Sequence, residues 1–174
     1  KGLVFRRYYN SQSTLSGVLG YGWSHSFSAF LTTDYKSDTS LIKIQDESGR
    51  GVFFSTTDNI NFTGLYGEKS SVLLENNEYV WQRNDNLLYF FNEYGYLIKI
   101  EDQKGNQLEL SYDSENRLET VLDQSSNRNL TFFYNADNHL DYISGPATQS
   151  ISDGIWVSFE YNNNNLVSAT YADG

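Results

Sequence analysis

The residues that could do chemistry are few. A serine-type hydrolase needs a hydroxyl and an imidazole within hydrogen-bond reach. The stretch that sets them side by side is Gly22-Trp23-Ser24-His25-Ser26. Consecutive residues of a strand point to opposite faces, so Ser24 and His25 would not meet there. The flanking sequence is not a G-x-S-x-G nucleophile elbow either. The second histidine, His139, follows Asn138 and reads as a solvated hairpin residue. Carboxylates are numerous, and two facing a cleft could hydrolyse a glycosidic bond. Asp46, Glu47, Asp102, Asp113, Glu115, Asp123 and Asp137 instead fall where turns are expected, and Asp belongs in turns for backbone reasons. No D-x-D-x-D-G loop or histidine pair points to calcium or zinc. No catalytic residue, metal or cofactor is assigned.

Binding is a more serious rival. Aromatic residues make up 16% of the chain and tyrosines alone number 14. Exposed on a flat sheet, such rings can stack on the C–H face of a sugar. Trp81, Trp156 and the tyrosines that recur along the chain are the candidates for glycan stacking. The plainer alternative is that these rings fill the core, and Trp23, beside the Gly20 and Gly22 backbone, is read as structural. The net charge of −10 and the lack of any basic run beyond Arg6-Arg7 argue against nucleic acid. There is no Cys, hence no disulfide framework; no apolar run is long enough to span a membrane, and no stretch reads as a signal sequence. Two glycosylation sequons, Asn61-Phe62-Thr63 and Asn129-Leu130-Thr131, are expected by chance in an Asn-rich chain.

The elements that would position any site are repeats. From Leu88 to Gly145 the chain runs through one pattern three times, and a looser fourth copy starts at Phe159. The aromatic anchors Phe91, Tyr112, Tyr134 and Tyr161 are 21, 22 and 27 residues apart. Such a period marks an array of one supersecondary unit. Asn92, Asp113, Asn135 or Asn162 follows each anchor, a residue type that suits the first position of a type I turn. Three residues on stands Gly95, Asn116 or Asn138, able to take positive φ. A type I turn followed by a left-handed residue joins hairpins. The chain re-enters an apolar run at Leu97, Leu118 or Leu140, with Ile100, Val121 or Ile143 three further on. That spacing breaks strict alternation and predicts a bulge or a strand packed on both faces. The fourth copy is one residue short before Leu166, so its turn is expected to differ.

Upstream, Leu3 to Tyr9 reads as a strand, Asn10 to Leu19 as a loop, and Gly20 to Trp23 as a tight turn into a strand from Ser26 to Leu31. Leu41–Ile44 and Val52–Phe54 flank a hairpin signal at Asp46-Glu47-Ser48-Gly49. Thr56 to Lys69 reads as a loop, and Val72–Leu74 and Tyr79–Trp81 as strands leading into the repeats. A Pro146 to Gly154 loop separates the third and fourth units, and alternating Ile155, Val157, Phe159 and Tyr161 mark a half-buried strand.

The Y-D/N-x-x-G/N-x-L-x-x-I/V pattern resembles the YD repeat of RHS proteins. The first third, through Phe5-Arg6-Arg7-Tyr8-Tyr9-Asn10-Ser11 and Leu19-Gly20-Tyr21-Gly22-Trp23-Ser24-His25-Ser26-Phe27, is similar to the domain of unknown function that precedes those repeats. The departures are Asn for the turn Gly in units two and three, the shortened fourth copy, and Ser144-Gly145 where the earlier units carry Asp102 and Asp123. The resemblance implies a spiralling sheet of hairpins closing into a shell around a C-terminal toxic or effector domain, secreted or at the cell surface. Related arrays occur in animal teneurins. The family's self-cleaving Asp residues lie in its C-terminal core, and none is carried over to this chain.

The expectation is an all-β fold: an array of antiparallel β-hairpins in a twisted, curved sheet, with an N-terminal cap. The cap is placed at residues 1–75 and the repeats at 76–174. Tyr8, Tyr9, Gly20, Gly22, Trp23 and Phe27 are expected in the cap's core, covering the bare edge of the first strand. The chain reads as a piece of a longer protein. Its partners would be the rest of the array, the cargo and a glycan, with no nucleic acid and no membrane insertion. Copies of the piece are expected to associate edge to edge.

Overall fold

The computed structural model of the protein describes residues 2–13, 15–35, 38, 40–146 and 154–172, and among these there is no α-helix. Two small ladders come first. β1 (Arg7–Tyr9) pairs with β4 (Trp23–His25), and between them β2 (Ser16–Gly17) pairs with β3 (Gly20–Tyr21).

All later strands join one antiparallel sheet of 14, each beside its neighbour in sequence, and the sheet is not closed into a barrel. Its first six are β5 (Phe30–Thr32), β6 (Leu41–Gln45), β7 (Gly51–Ser55), β8 (Asn61–Gly64), β9 (Ser71–Glu75) and β10 (Glu78–Gln82). The first two repeat units supply β11 (Leu88–Phe91), β12 (Leu97–Glu101), β13 (Gln107–Tyr112) and β14 (Leu118–Asp123). The last two supply β15 (Arg128–Tyr134), β16 (Leu140–Ser144), β17 (Ile155–Asn162) and β18 (Asn165–Tyr171). The sheet runs without a break across residue 75, the end of β9.

One face of this sheet is apolar and buried. Ile42 and Ile44, Leu108 and Leu110, and Leu130 and Phe132 point inward, while Lys43, Glu109 and Thr131 between them point outward. Strict alternation with a single covered face gives this pattern. Spacings of three between apolar residues are bulges. Phe90 pairs with Lys99 but Phe91 with Leu97, so Ile98 is extra and both Leu97 and Ile100 face the core. The same slip recurs between Ser111 and Tyr112, Phe133 and Tyr134, and Glu160 and Tyr161.

The covered face is filled by the chain's own N-terminal segment, which corrects the expected position of the cap. The segment does not sit on the edge of the first strand; it crosses the sheet to the last two hairpins. Leu19, Phe27 and Ala29 join the common core, and the Phe5 ring lies 5.9 Å from Phe132 and 6.2 Å from Phe159. The Val18 carbonyl accepts from the Leu140 amide at 2.7 Å, and the Asn164 carbonyl from the Tyr21 amide at 3.1 Å. The β5 edge is met instead by the turn between β11 and β12, where the Leu31 amide donates to Gly95 O at 2.9 Å. The sheet therefore rolls around the segment it covers. Gly95 is required at this crossing: its φ is +87°, and a Cβ there would run into the Leu31 carbonyl.

Other local expectations are also corrected. The stretch from Thr56 to Lys69 is not all loop, for it contains β8; Phe62 is the only core residue of that strand, so no alternation betrays it. Ser26 to Leu31 is not one strand. The chain turns after β4, with Ser28 N donating to His25 O at 3.0 Å and Ser28 Oγ to the same oxygen at 2.8 Å, and β5 starts only at Phe30. Gly20 and Tyr21 are paired as β3 rather than forming a turn, and of Leu3 to Tyr9 only β1 is a strand. Apart from its ends, the expected loop from Pro146 to Gly154 lies outside the described residues.

Candidate functional site

Each repeat unit is built upward from its turn. Asn92 Oδ1 accepts from the amides of Tyr94 and Tyr96 at 3.1 and 3.0 Å. Asp113 Oδ1 does so from Glu115 and Arg117, and Asn135 Oδ1 from Asp137 and His139. The side chain thus stands in for a backbone turn, and the residue three further on takes positive φ: Gly95 at 87°, Asn116 at 60°, Asn138 at 62°. Asp46 and Asp102 build the same turn in two more hairpins. The fourth unit differs. Asn162 pairs with Asn165 across Asn163 and Asn164, both at positive φ, a two-residue turn that accounts for the missing residue. Burial pushes the Asp113 carboxyl up, but the Arg117 amide and guanidinium and the Glu115 amide bring it below the ordinary carboxylate value. These carboxylates are occupied by turn amides, not aimed at a shared cleft.

Above the turns the anchors form a ladder. Tyr112 Oη donates to Leu97 O at 2.8 Å, Tyr134 Oη to Leu118 O at 2.7 Å, and Tyr161 Oη to Leu140 O at 2.7 Å. Each acceptor is the first strand residue after the preceding unit's turn, beside the bulge. Each ring also lies against the residue just before that leucine. Tyr112 is 5.1 Å from the Tyr96 ring, Tyr134 lies under the Arg117 guanidinium at 4.7 Å, and Tyr161 stacks on His139 at 4.5 Å. Burial pushes all three phenols well above their ordinary values, so they are donors at any physiological pH. Phe91, which opens the series, has no hydroxyl and is fully buried.

His139 is therefore not solvated: it is buried beneath the Tyr161 ring. The signal for it was its register with Tyr96 and Arg117. Ser24 and His25 do not meet. Ser24 Oγ donates to Glu47 O at 2.8 Å, while His25 Nδ1 accepts from the Phe27 amide at 3.3 Å. His25 is walled in by Phe5 at 5.4 Å and Phe132 at 6.2 Å, and burial lowers its pKa to about 4. It is a neutral structural residue.

The stacking candidates divide. Trp81 is not available to a glycan. It is 2% exposed, its Nε1 donates to Ser70 Oγ at 2.9 Å, and Arg83 covers its ring at 4.8 Å before pairing with Glu47 at 2.6 Å. An indole with a hydrogen-bond partner at hand is a core residue. The anchor tyrosines are half-buried with their hydroxyls engaged. Trp156 is 38% exposed, with Nε1 donating to Pro146 O at 3.2 Å. In the N-terminal segment Phe27 is core, Tyr8 and Trp23 are half-buried, and Gly20 and Gly22 have positive φ. Tyr9 is not core; it is largely exposed, its ring 5.0 Å from Trp23. Among the described residues no group of three or more metal-ligating side chains comes together.

A family model described as Domain of unknown function (DUF6531) matches residues 1–54, from the start of the N-terminal segment into β7. No curated protein matches the chain.

Proposed function

We propose that this chain is a non-enzymatic structural segment: the opening part of an RHS-repeat shell, preceded by its plug, that encloses a C-terminal toxin or effector in a large secreted or surface protein. The observation that carries this reading is the tyrosine ladder. One bulged hairpin recurs four times, the last three tied to the unit before by an anchor hydrogen bond, along a sheet whose apolar face is filled by the chain's own N-terminal segment. Such a unit cannot bury its apolar face alone and gains stability from neighbours on both sides. The anchors spend their hydroxyls on neighbouring units, which suits building a wall. The match of residues 1–54 to a domain of unknown function supports the reading only in its position, ahead of the repeats. The enclosed cargo rests on likeness of pattern.

Limited proteolysis of the full-length native protein, read by intact mass, tests it. A C-terminal segment that survives inside a resistant repeat body, and is digested only after unfolding, is the expected result. A resistant body with no protected segment would leave an open adhesive surface instead, with Trp156 as its glycan-stacking candidate. Glycan titration watched by Trp fluorescence would then be decisive.

A further inference from the structure

Where the N-terminal segment crosses the sheet it leaves a groove of about 390 Å³, the size of a small ligand site. Its lining comes from three distant parts of the chain. Leu15 and Trp23 belong to the N-terminal segment, Phe30 and Gln45 to β5 and β6, and Tyr96, Tyr112 and Asn116 to the first two repeat units. The crossing at Gly95 assembles it. The Phe30 ring lies 5.3 Å from Tyr96, edge to face, and Tyr96 lies 5.1 Å from Tyr112, whose hydroxyl is fixed on Leu97 O. Three rings are thus held in series before anything binds. Leu15 and Phe30 leave large apolar surface exposed at this place.

The polar groups around the groove say what it can take. Ser24 Oγ and Ser28 Oγ are spent on backbone carbonyls, and the Arg117 guanidinium is shared among Asp113, Glu115 and Asn138. Trp23 Nε1, Tyr96 Oη and the carboxamides of Gln45 and Asn116 have no hydrogen-bond partner among the described residues, and none is sealed from solvent. All four can donate. No carboxylate lines the groove. An anion finds no unpaired cation there, and a sugar, which brings as many donors as acceptors, finds no carboxylate to receive them. An added strand is also shut out. The β5 edge is taken, by Gly95 O on the Leu31 amide and by the Phe30 bridge to Tyr96.

The groove therefore suits an uncharged apolar segment that is rich in carbonyl acceptors and poor in amide donors. A polyproline II segment has that chemistry: no internal hydrogen bonds, outward carbonyls, and no N–H at each proline. Aromatic-lined grooves are where such segments dock. We infer that this groove is a docking site for a proline-rich segment of a partner. Its prolyl rings pack on Phe30, Tyr96 and Tyr112, and its carbonyls accept from Trp23, Tyr96, Gln45 and Asn116. The chain's single proline, Pro146, cannot supply such a segment. The assignment goes beyond the shell reading and does not rest on it, since it needs no enclosed cargo.

The test is fluorescence anisotropy of fluorescein-labelled decaproline added to the full-length native protein. The interior of decaproline has no amide N–H, so every hydrogen bond it makes must be donated by the protein. It should bind at least about tenfold more tightly than a labelled Gly-Ser decamer, which lacks both the rings and the preformed helix. Tyr96→Phe keeps the ring series and removes one donor, and should weaken binding about threefold to tenfold. Gln45→Glu sets a carboxylate among the peptide carbonyls and should weaken it at least about tenfold. Tyr66→Ala, which removes an exposed ring outside the groove, should change nothing. Decaproline that binds no better than the Gly-Ser peptide would overturn the assignment. So would binding untouched by Tyr96→Phe and Gln45→Glu, binding weakened as much by Tyr66→Ala, or displacement of the peptide by a neutral oligosaccharide. The comparison of two peptides on the unaltered protein stands even if a variant misfolds.

Discussion

His25 makes the contact between the N-terminal segment and the sheet sensitive to acid, and the effect can be worked out in size and sign. Burial against Phe5 and Phe132 lowers its pKa to about 4, against 6.5 in an unfolded chain. Above pH 6.5 both states hold it neutral and it has no pH effect. As pH falls from 6.5 towards 4 the unfolded state takes up the proton first, so the folded state loses stability, and below 4 the loss levels off. At about 1.4 kcal/mol per pKa unit the whole shift is worth about 3 kcal/mol. Lowered carboxylates such as Asp113 also lose stability in acid, but only as pH falls through the ordinary carboxylate range and beneath it, so the pH 5–6.5 window lies above their contribution. The assay is urea unfolding at several pH values, with the His25 ring followed by NMR. The wild-type midpoint should fall across that window while that of a His25→Phe variant stays nearly flat, whatever its absolute stability. A ring that titrates near 6.5 in the folded protein, or parallel curves for the two proteins, would refute the reasoning.

Further outcomes follow from the same contacts. Gly95→Ala should destabilise by several kcal/mol, since it adds positive-φ strain to a clash with the Leu31 carbonyl, and hydrogen exchange should show β5 released first. Tyr134→Phe removes one ladder hydrogen bond while keeping the ring, and thermal unfolding should report a cost of about 1 kcal/mol. The phenols of Tyr112, Tyr134 and Tyr161 are raised by burial, so stability is full below pH 10 and lost as pH climbs beyond it. Ultraviolet titration should show these rings ionising only with unfolding. Trp81→Ala should cost about 3–5 kcal/mol as a core truncation, read from the unfolding midpoint.

The hairpins were legible because their chemistry is local. An Asn or Asp that caps its own turn, a residue fit for positive φ three positions on, and a leucine followed three residues later by Ile or Val, spaced for a bulge, all lie within a dozen residues. Even the odd fourth turn showed as a missing residue. The path of the N-terminal segment was hidden because its partners are distant and aperiodic: Phe5 meets Phe132 and Phe159, and Val18 meets Leu140 and Tyr161. Local pattern also misled. His139 looks polar until the next unit's tyrosine is laid over it, and β8 shows only Phe62 to the core. For the candidate site, residue type marked the anchors but not their role. A tyrosine reads alike whether its hydroxyl meets a sugar or the Leu118 carbonyl.

Electron cryo-microscopy of the full-length protein tests the central claim most directly. The account predicts that the sheet continues past β18 as tyrosine-anchored hairpins into a wall, with the segment around Phe5 to Phe27 plugging one end and density that does not belong to the wall inside. A sheet that ends at β18 with both faces open to solvent, or a wall with no enclosed density, would contradict it.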